Sequence, residues 1–118
     1  MEKFAVSLPL TGEYLTTVRL TTGGLCALAG FDVDSTEDYK VCVTESLLIL
    51  KRNGFRRAEI SFTVGETLGC ALCGAELLGD KEEALEEEIS RALLSALLGD
   101  VAFEKDAAGR IEKIVFEG

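Results

Sequence analysis

Apolar and small or polar side chains alternate at the start of the chain: Phe4, Val6 and Leu8 are separated by Ala5 and Ser7, and Pro9 ends the run. A period of two stopped by proline predicts an edge-type strand over residues 3–9. Thr11 then offers an N-cap for a helix from about Gly12 to Ala29, with Leu15, Val18, Leu25 and Leu28 in a loose helical stripe. Gly30 supplies a left-handed cap at its end. The Gly23-Gly24 pair inside costs about 1 kcal/mol per residue relative to alanine, which marks a place for a bend or break.

A second start signal follows at Ser35-Thr36-Glu37-Asp38, with Ser35 as cap and an acid three residues later. Tyr39, Val43, Leu47 and Leu50 recur at helical spacing until Asn53-Gly54 closes the helix. Two alternating runs, 58–64 and 68–73, joined at Gly65-Glu66, carry a two-residue hairpin signature. Asp80 caps a third helix whose stripe is Leu85, Ile89, Leu93 and Leu97, ended by Gly99. A last hairpin joins 101–105 to 110–117 through Asp106-Ala107-Ala108-Gly109. The predicted order is βααββαββ. Hairpins alternating with helices imply an α+β two-layer sandwich, with a mixed, mostly antiparallel sheet and three helices on one face.

With 118 residues the chain is one domain, 1–118, and 47% hydrophobic composition suffices for a core. No linker, repeat or low-complexity tract divides it. Twelve basic against twenty-one acidic residues give a net charge of -9, which repels phosphate backbones and anionic membranes. No nucleic-acid or membrane partner is expected. Met1-Glu2-Lys3-Phe4 lacks a basic region followed by an apolar stretch, so a cytoplasmic location is expected. Histidine is absent, which excludes Ser–His and Cys–His catalysis.

Cysteines stand at 26, 42, 70 and 73. Cys70-Ala-Leu-Cys73 is a CxxC, but no second pair or histidine completes a zinc site, and on a strand residues three apart point to opposite faces. No metal site is expected. The acidic run from Asp80 to Glu88 includes Glu82, Glu83, Glu86, Glu87 and Glu88. It suits the positive end of a helix dipole and also reads as an acidic docking surface for a basic partner. Thr22-Gly23-Gly24 lacks the spacing of a phosphate-cradling loop. Glu45 stands out as a mid-helix carboxylate among Val41, Cys42, Val43, Leu47 and Leu48. It lies either at the edge of the apolar stripe or in a site.

Residues 5–55 resemble the N-terminal half of the bacterial anti-sigma-factor serine kinases, members of the histidine-kinase-like ATPase (GHKL) superfamily. The matching residues are Leu8-Pro9, Glu13-Tyr14-Leu15-Thr16-Thr17-Val18-Arg19-Leu20, Gly30-Phe31 and Glu37-Asp38-Tyr39-Lys40-Val41-Cys42-Val43-Thr44-Glu45-Ser46. The element order matches the family's fold along nearly the whole chain. In that family the second helix carries Glu-x-x-x-Asn-x-x-x-His, then Gly and an aromatic; here Glu45, Ile49 and Asn53-Gly54-Phe55 stand in those places.

The resemblance implies that Glu45 matches the base that activates an acceptor serine, and that Ile49 replaces the asparagine that ligates magnesium. Ile49 has no oxygen donor. Asn53 lies two turns beyond Glu45 on roughly the same face and could substitute as cofactor ligand, displaced by about 11 Å from the Glu45 level. The family's Asp-x-Gly-x-Gly segment is replaced by Cys73-Gly74-Ala75-Glu76-Leu77-Leu78-Gly79, and its glycine-rich lid by Lys81-Glu82-Glu83-Ala84-Leu85. An acidic segment there repels a triphosphate.

The expectation is therefore an anti-sigma-like regulator that acts by protein binding and needs no cofactor. Its partner would be a sigma factor, an anti-sigma antagonist or a second copy in a homodimer, with Glu13, Tyr14 and Arg19 as the partner face. The alternative is an ATP- and Mg-dependent serine/threonine protein kinase with Glu45 as base.

Overall fold

The computed structural model describes residues 2–79, 81 and 85–118. Its elements run β1 (Glu2–Pro9), α1 (Gly12–Leu28), α2 (Val33–Arg52), β2 (Phe55–Val64), β3 (Leu68–Leu77), α3 (Leu85–Leu98), β4 (Val101–Lys105) and β5 (Ile111–Glu117). This is the predicted α+β order. The five strands form one sheet in the order β1-β2-β3-β5-β4. Every pairing is antiparallel, so the sheet is not mixed. β4 takes the edge after α3, and its hairpin returns β5 against β3.

The register aligns the apolar alternation across strands: Val6 opposes Ile60, Ile60 opposes Leu72, and Leu72 opposes Ile114. Residues directly opposite share a face, so these side chains form one continuous apolar surface. α2 lies across β2, β3 and β5 with α1 and α3 packed on its flanks, which makes two layers. Tyr39, Val43, Leu47 and Leu50 of α2 are fully buried against Ile60, Phe62, Leu72 and Ile114. Tyr39 donates its hydroxyl hydrogen bond to the Leu68 carbonyl at 2.7 Å, and its ring sits edge-on to Phe31 and Phe116.

Several local expectations shift. The cap of α2 is Asp32, three residues before the expected Ser35, because the Asp32 carboxylate accepts the Ser35 N–H at 2.7 Å and captures the first turn. That backbone hydrogen bond holds the Asp32 carboxyl below its usual range. Thr11 occupies the cap position of α1 without a side-chain cap bond, and α1 runs unbroken through Gly23-Gly24. Gly30, at φ 81°, takes the left-handed conformation. The β2–β3 turn has three residues, Gly65–Thr67, since Val64 pairs with Leu68. Both strands of that hairpin extend past the predicted limits, to Phe55 and Leu77. Asp80, Glu82 and Glu83 lie outside the described residues, so the expected Asp80 cap does too.

The four cysteines are free thiols; Cys26, Cys42 and Cys70 are buried, and Cys73 is half-exposed on the open sheet face. Burial pushes the Cys42 thiol up to about 12 and raises those of Cys26 and Cys70 as well. Cys73 should react at once with an aromatic disulfide reagent, and the other three only on unfolding. The same burial sets an alkaline limit. Unfolded thiols ionise near 9.0 while the folded ones keep their protons. Stability should therefore be full below that value and fall as pH rises from it toward about 12. Thermal melts across that window check the sign.

Candidate functional site

Glu45 sits midway along α2 on the flank that meets α3. Its Oε2 accepts a hydrogen bond from the Ser90 hydroxyl at 2.7 Å. Ser90 is buried, and its oxygen in turn accepts from the Arg52 guanidinium at 2.8 Å. Arg52 also reaches the Glu86 carbonyl at 3.5 Å. A cation, a hydroxyl and a carboxylate are thus joined in one chain across the helix interface. Charge-assisted hydrogen bonds of this kind are about twice as strong as neutral ones.

One turn past Ile49 the same interface holds Asn53, fully buried at the end of α2. Its Nδ2 donates to the Ile49 carbonyl at 2.8 Å and to Glu87 Oε1 at 2.7 Å. Its Oδ1 accepts the Ile111 N–H at 2.9 Å. The side chain ties α2 to α3 and to the start of β5. Glu87 also pairs with Lys81 at 3.7 Å. Ile49, in the place of the magnesium-binding asparagine of the resembled family, is fully buried in the apolar core.

Two clefts flank this interface at the ends of α2. One, of about 450 Å³, opens at the N-terminal end between Phe31, Asp38, Tyr39, Glu66, Leu97 and Glu117. The other, of about 570 Å³, opens at the C-terminal end between Leu10, Leu48, Lys51, Arg52, Phe55 and Arg56. Neither Glu45 nor Asn53 lines either cleft. Among the described residues no group of three or more carboxylates or thiols is arranged to hold a metal ion.

Glu13, Tyr14 and Arg19 are all exposed on α1. At about 100° per residue they point to three different sides of the helix, separated by roughly 100–140°. They share an element but do not form one cluster.

Sequence reasoning found Glu45 and Asn53 but missed Ser90, Arg52 and Glu87, which complete their surroundings. The signal was the second stripe of α3, Glu87, Ser90, Arg91 and Leu94, whose spacing is as helical as that of the leucines. The leucine stripe Leu85, Ile89, Leu93 and Leu97 is the one the apolar pattern brings forward, and a partly polar stripe beside it gives no sign of packing inward.

No known family profile matches the chain. It is similar to the serine-protein kinase RsbW of Listeria monocytogenes serovar 1/2a, 31% identical over 58 residues, which is 49% of this chain and 37% of that relative. The serine-protein kinase RsbW of Bacillus cereus (strain AH187) is 29% identical over 66 residues, 54% of this chain and 41% of that relative. The chain thus spans about two fifths of the length of the curated relatives it matches. The likeness supports the resemblance read from residues 5–55. No helix among the described residues is long and apolar enough to cross a membrane.

Proposed function

We propose that the chain is a regulatory binding module of the anti-sigma-factor kinase type, in which the interface between α2 and α3 has replaced a nucleotide site. The observation that carries this reading is the 2.7 Å hydrogen bond from Ser90 to Glu45. In the resembled family a carboxylate at this place accepts the proton of an acceptor serine. Here that carboxylate already holds a hydroxyl from its own chain, and Arg52 braces the hydroxyl from the other side.

Asn53 supports the same reading, since its amide is spent on three hydrogen bonds inside the fold. Ile49 offers no oxygen. Phosphoryl transfer depends almost wholly on positioning and charge neutralisation, and neither survives without a magnesium ligand and a phosphate cradle. What such a scaffold keeps is a surface, and its partner would be a sigma factor or the antagonist of one.

Calorimetric titration of ATP-Mg tests the proposal. Silence at millimolar nucleotide is the expected result. Micromolar binding that is lost in Glu45→Gln would instead overturn it and support the kinase reading with Glu45 as base.

A further inference from the structure

α3 is inverted relative to its sequence. Ser90 and Leu94 are buried against α2, Glu87 is half-buried beside Asn53, and Arg91 lies over the Phe103 ring at 4.9 Å from its centroid. Charge and hydroxyl therefore face inward. The apolar ridge faces out: Leu85 is 71% exposed and Ile89 59%. Ala92 and Ala96 are exposed beside them, and Leu93 is half-buried. Residues four apart advance by about 40° around a helix, so this ridge turns steadily as it runs along α3. It ends at Leu97, 36% exposed, which lines the 450 Å³ cleft at the N-terminal end of α2.

Both ends of this track are acidic. Glu86 and Glu88 are exposed on either side of Leu85 and Ile89. At the other end Asp32, Asp38, Glu66 and Glu117 line the cleft, and its lining contains no basic side chain. α3 has no basic residue in its last turn, and Arg91 is engaged inward. A second copy laid antiparallel on the ridge would bring carboxylates toward Asp100, and the one cation of this helix, Arg91, is turned inward onto Phe103. Like charges set opposite each other oppose such pairing.

We propose that the ridge and the cleft it enters form a docking track for a basic amphipathic segment of a protein partner. In that segment Leu- or Ile-type side chains would repeat every three or four residues between lysines and arginines. Its apolar side chains would cover Leu85, Ile89 and Leu97, and its cations would meet the carboxylates at both ends. Helix-in-groove recognition with i, i+3, i+4 anchors has this form. The inference rests on the faces of α3 and holds whether or not nucleotide binds near Glu45.

The test is calorimetric titration of a synthetic amphipathic Leu/Lys helical peptide into the full chain, beside a scrambled peptide of the same composition. Micromolar binding of the patterned peptide is expected, weakening with salt, and at least about ten-fold weaker for the scrambled one. Ile89→Asp, and separately Asp38→Asn with Glu66→Gln and Glu117→Gln, should each weaken binding at least about ten-fold. These positions are exposed, so circular dichroism should show an unchanged fold. Equal binding of the scrambled peptide, or affinity indifferent to both sets of substitutions, overturns the proposal. So does a concentration-dependent dimer of the free chain that Ile89→Asp dissolves, which would assign the ridge to a second copy.

Discussion

Asn53→Ala is expected to destabilise the protein by about 3 kcal/mol, from an unpaired buried donor and a small cavity at a fully buried position. The native side chain satisfies the Ile111 N–H where β5 begins, and it holds the Ile49 carbonyl and Glu87 on the other side. Alanine removes all three partners at once. The Ile111 N–H loses its acceptor, and Ile111 is itself fully buried. Glu87 keeps only Lys81 among the contacts described. Urea denaturation at neutral pH reads the loss directly. A change below about 1 kcal/mol would mean that water enters and replaces the amide.

Asn53→Asp separates the two halves of that role. One oxygen can still accept from Ile111, but the other then faces the Glu87 carboxylate and the Ile49 carbonyl, both acceptors. Repulsion between the carboxylates raises their pKa in the folded state. Stability is then greater at mildly acidic pH, where a proton can be shared, and is lost as pH rises through the folded value. Wild-type protein has an amide donor there and should lack this recovery on acidification. Denaturation midpoints of the two proteins, compared at mildly acidic and neutral pH, isolate the effect.

These contacts mark the boundary of what the sequence made legible. Element order followed from local signals: the alternation through Val6, Ile60 and Leu72, the stripe through Tyr39, Val43 and Leu47, and the glycine stops at Gly30 and Gly54. Register was less legible: a two-residue turn at Gly65-Glu66 would pair Val64 with Thr67, whereas the apolar alternation puts Leu68 opposite Val64, since a slip of one residue would turn every apolar side chain of a strand to the other face. α3 could not be oriented in this way, since both of its stripes are helical and only tertiary pairing chooses between them. That choice depends on polar groups far off in the chain: Ser90 meets Glu45 and Arg52, 45 and 38 residues away, and Glu87 meets Asn53. Burying a matched polar set against α2 leaves the leucine ridge outside. The Asp32 cap was missed for a local reason: a short carboxylate just after Phe31 outcompeted the hydroxyl of Ser35 for the first turn.

Ile49→Asn, which restores the asparagine of the resembled kinases, is expected to cost about 4 kcal/mol rather than to create a magnesium site. Ile49 is fully buried, and its carbonyl already accepts from both the backbone and the side chain of Asn53. An amide placed there enters a region of apolar side chains, among them Leu50, Ile60 and Leu94. The change combines lost apolar burial with an unsatisfied polar group. In a domain stabilised by roughly 5–15 kcal/mol that is a large fraction of the whole. Ile49→Val, with the same backbone bonds and one methylene fewer, should cost about 1 kcal/mol and separates volume from polarity. Urea midpoints of the two variants should therefore be well apart, and neither variant should give heat on titration with ATP-Mg. A folded Ile49→Asn protein that binds nucleotide at micromolar concentration would mean that α3 lifts away from α2 to admit a ligand. The hydrogen bond between Ser90 and Glu45 would then be a latch on a working site instead of its replacement.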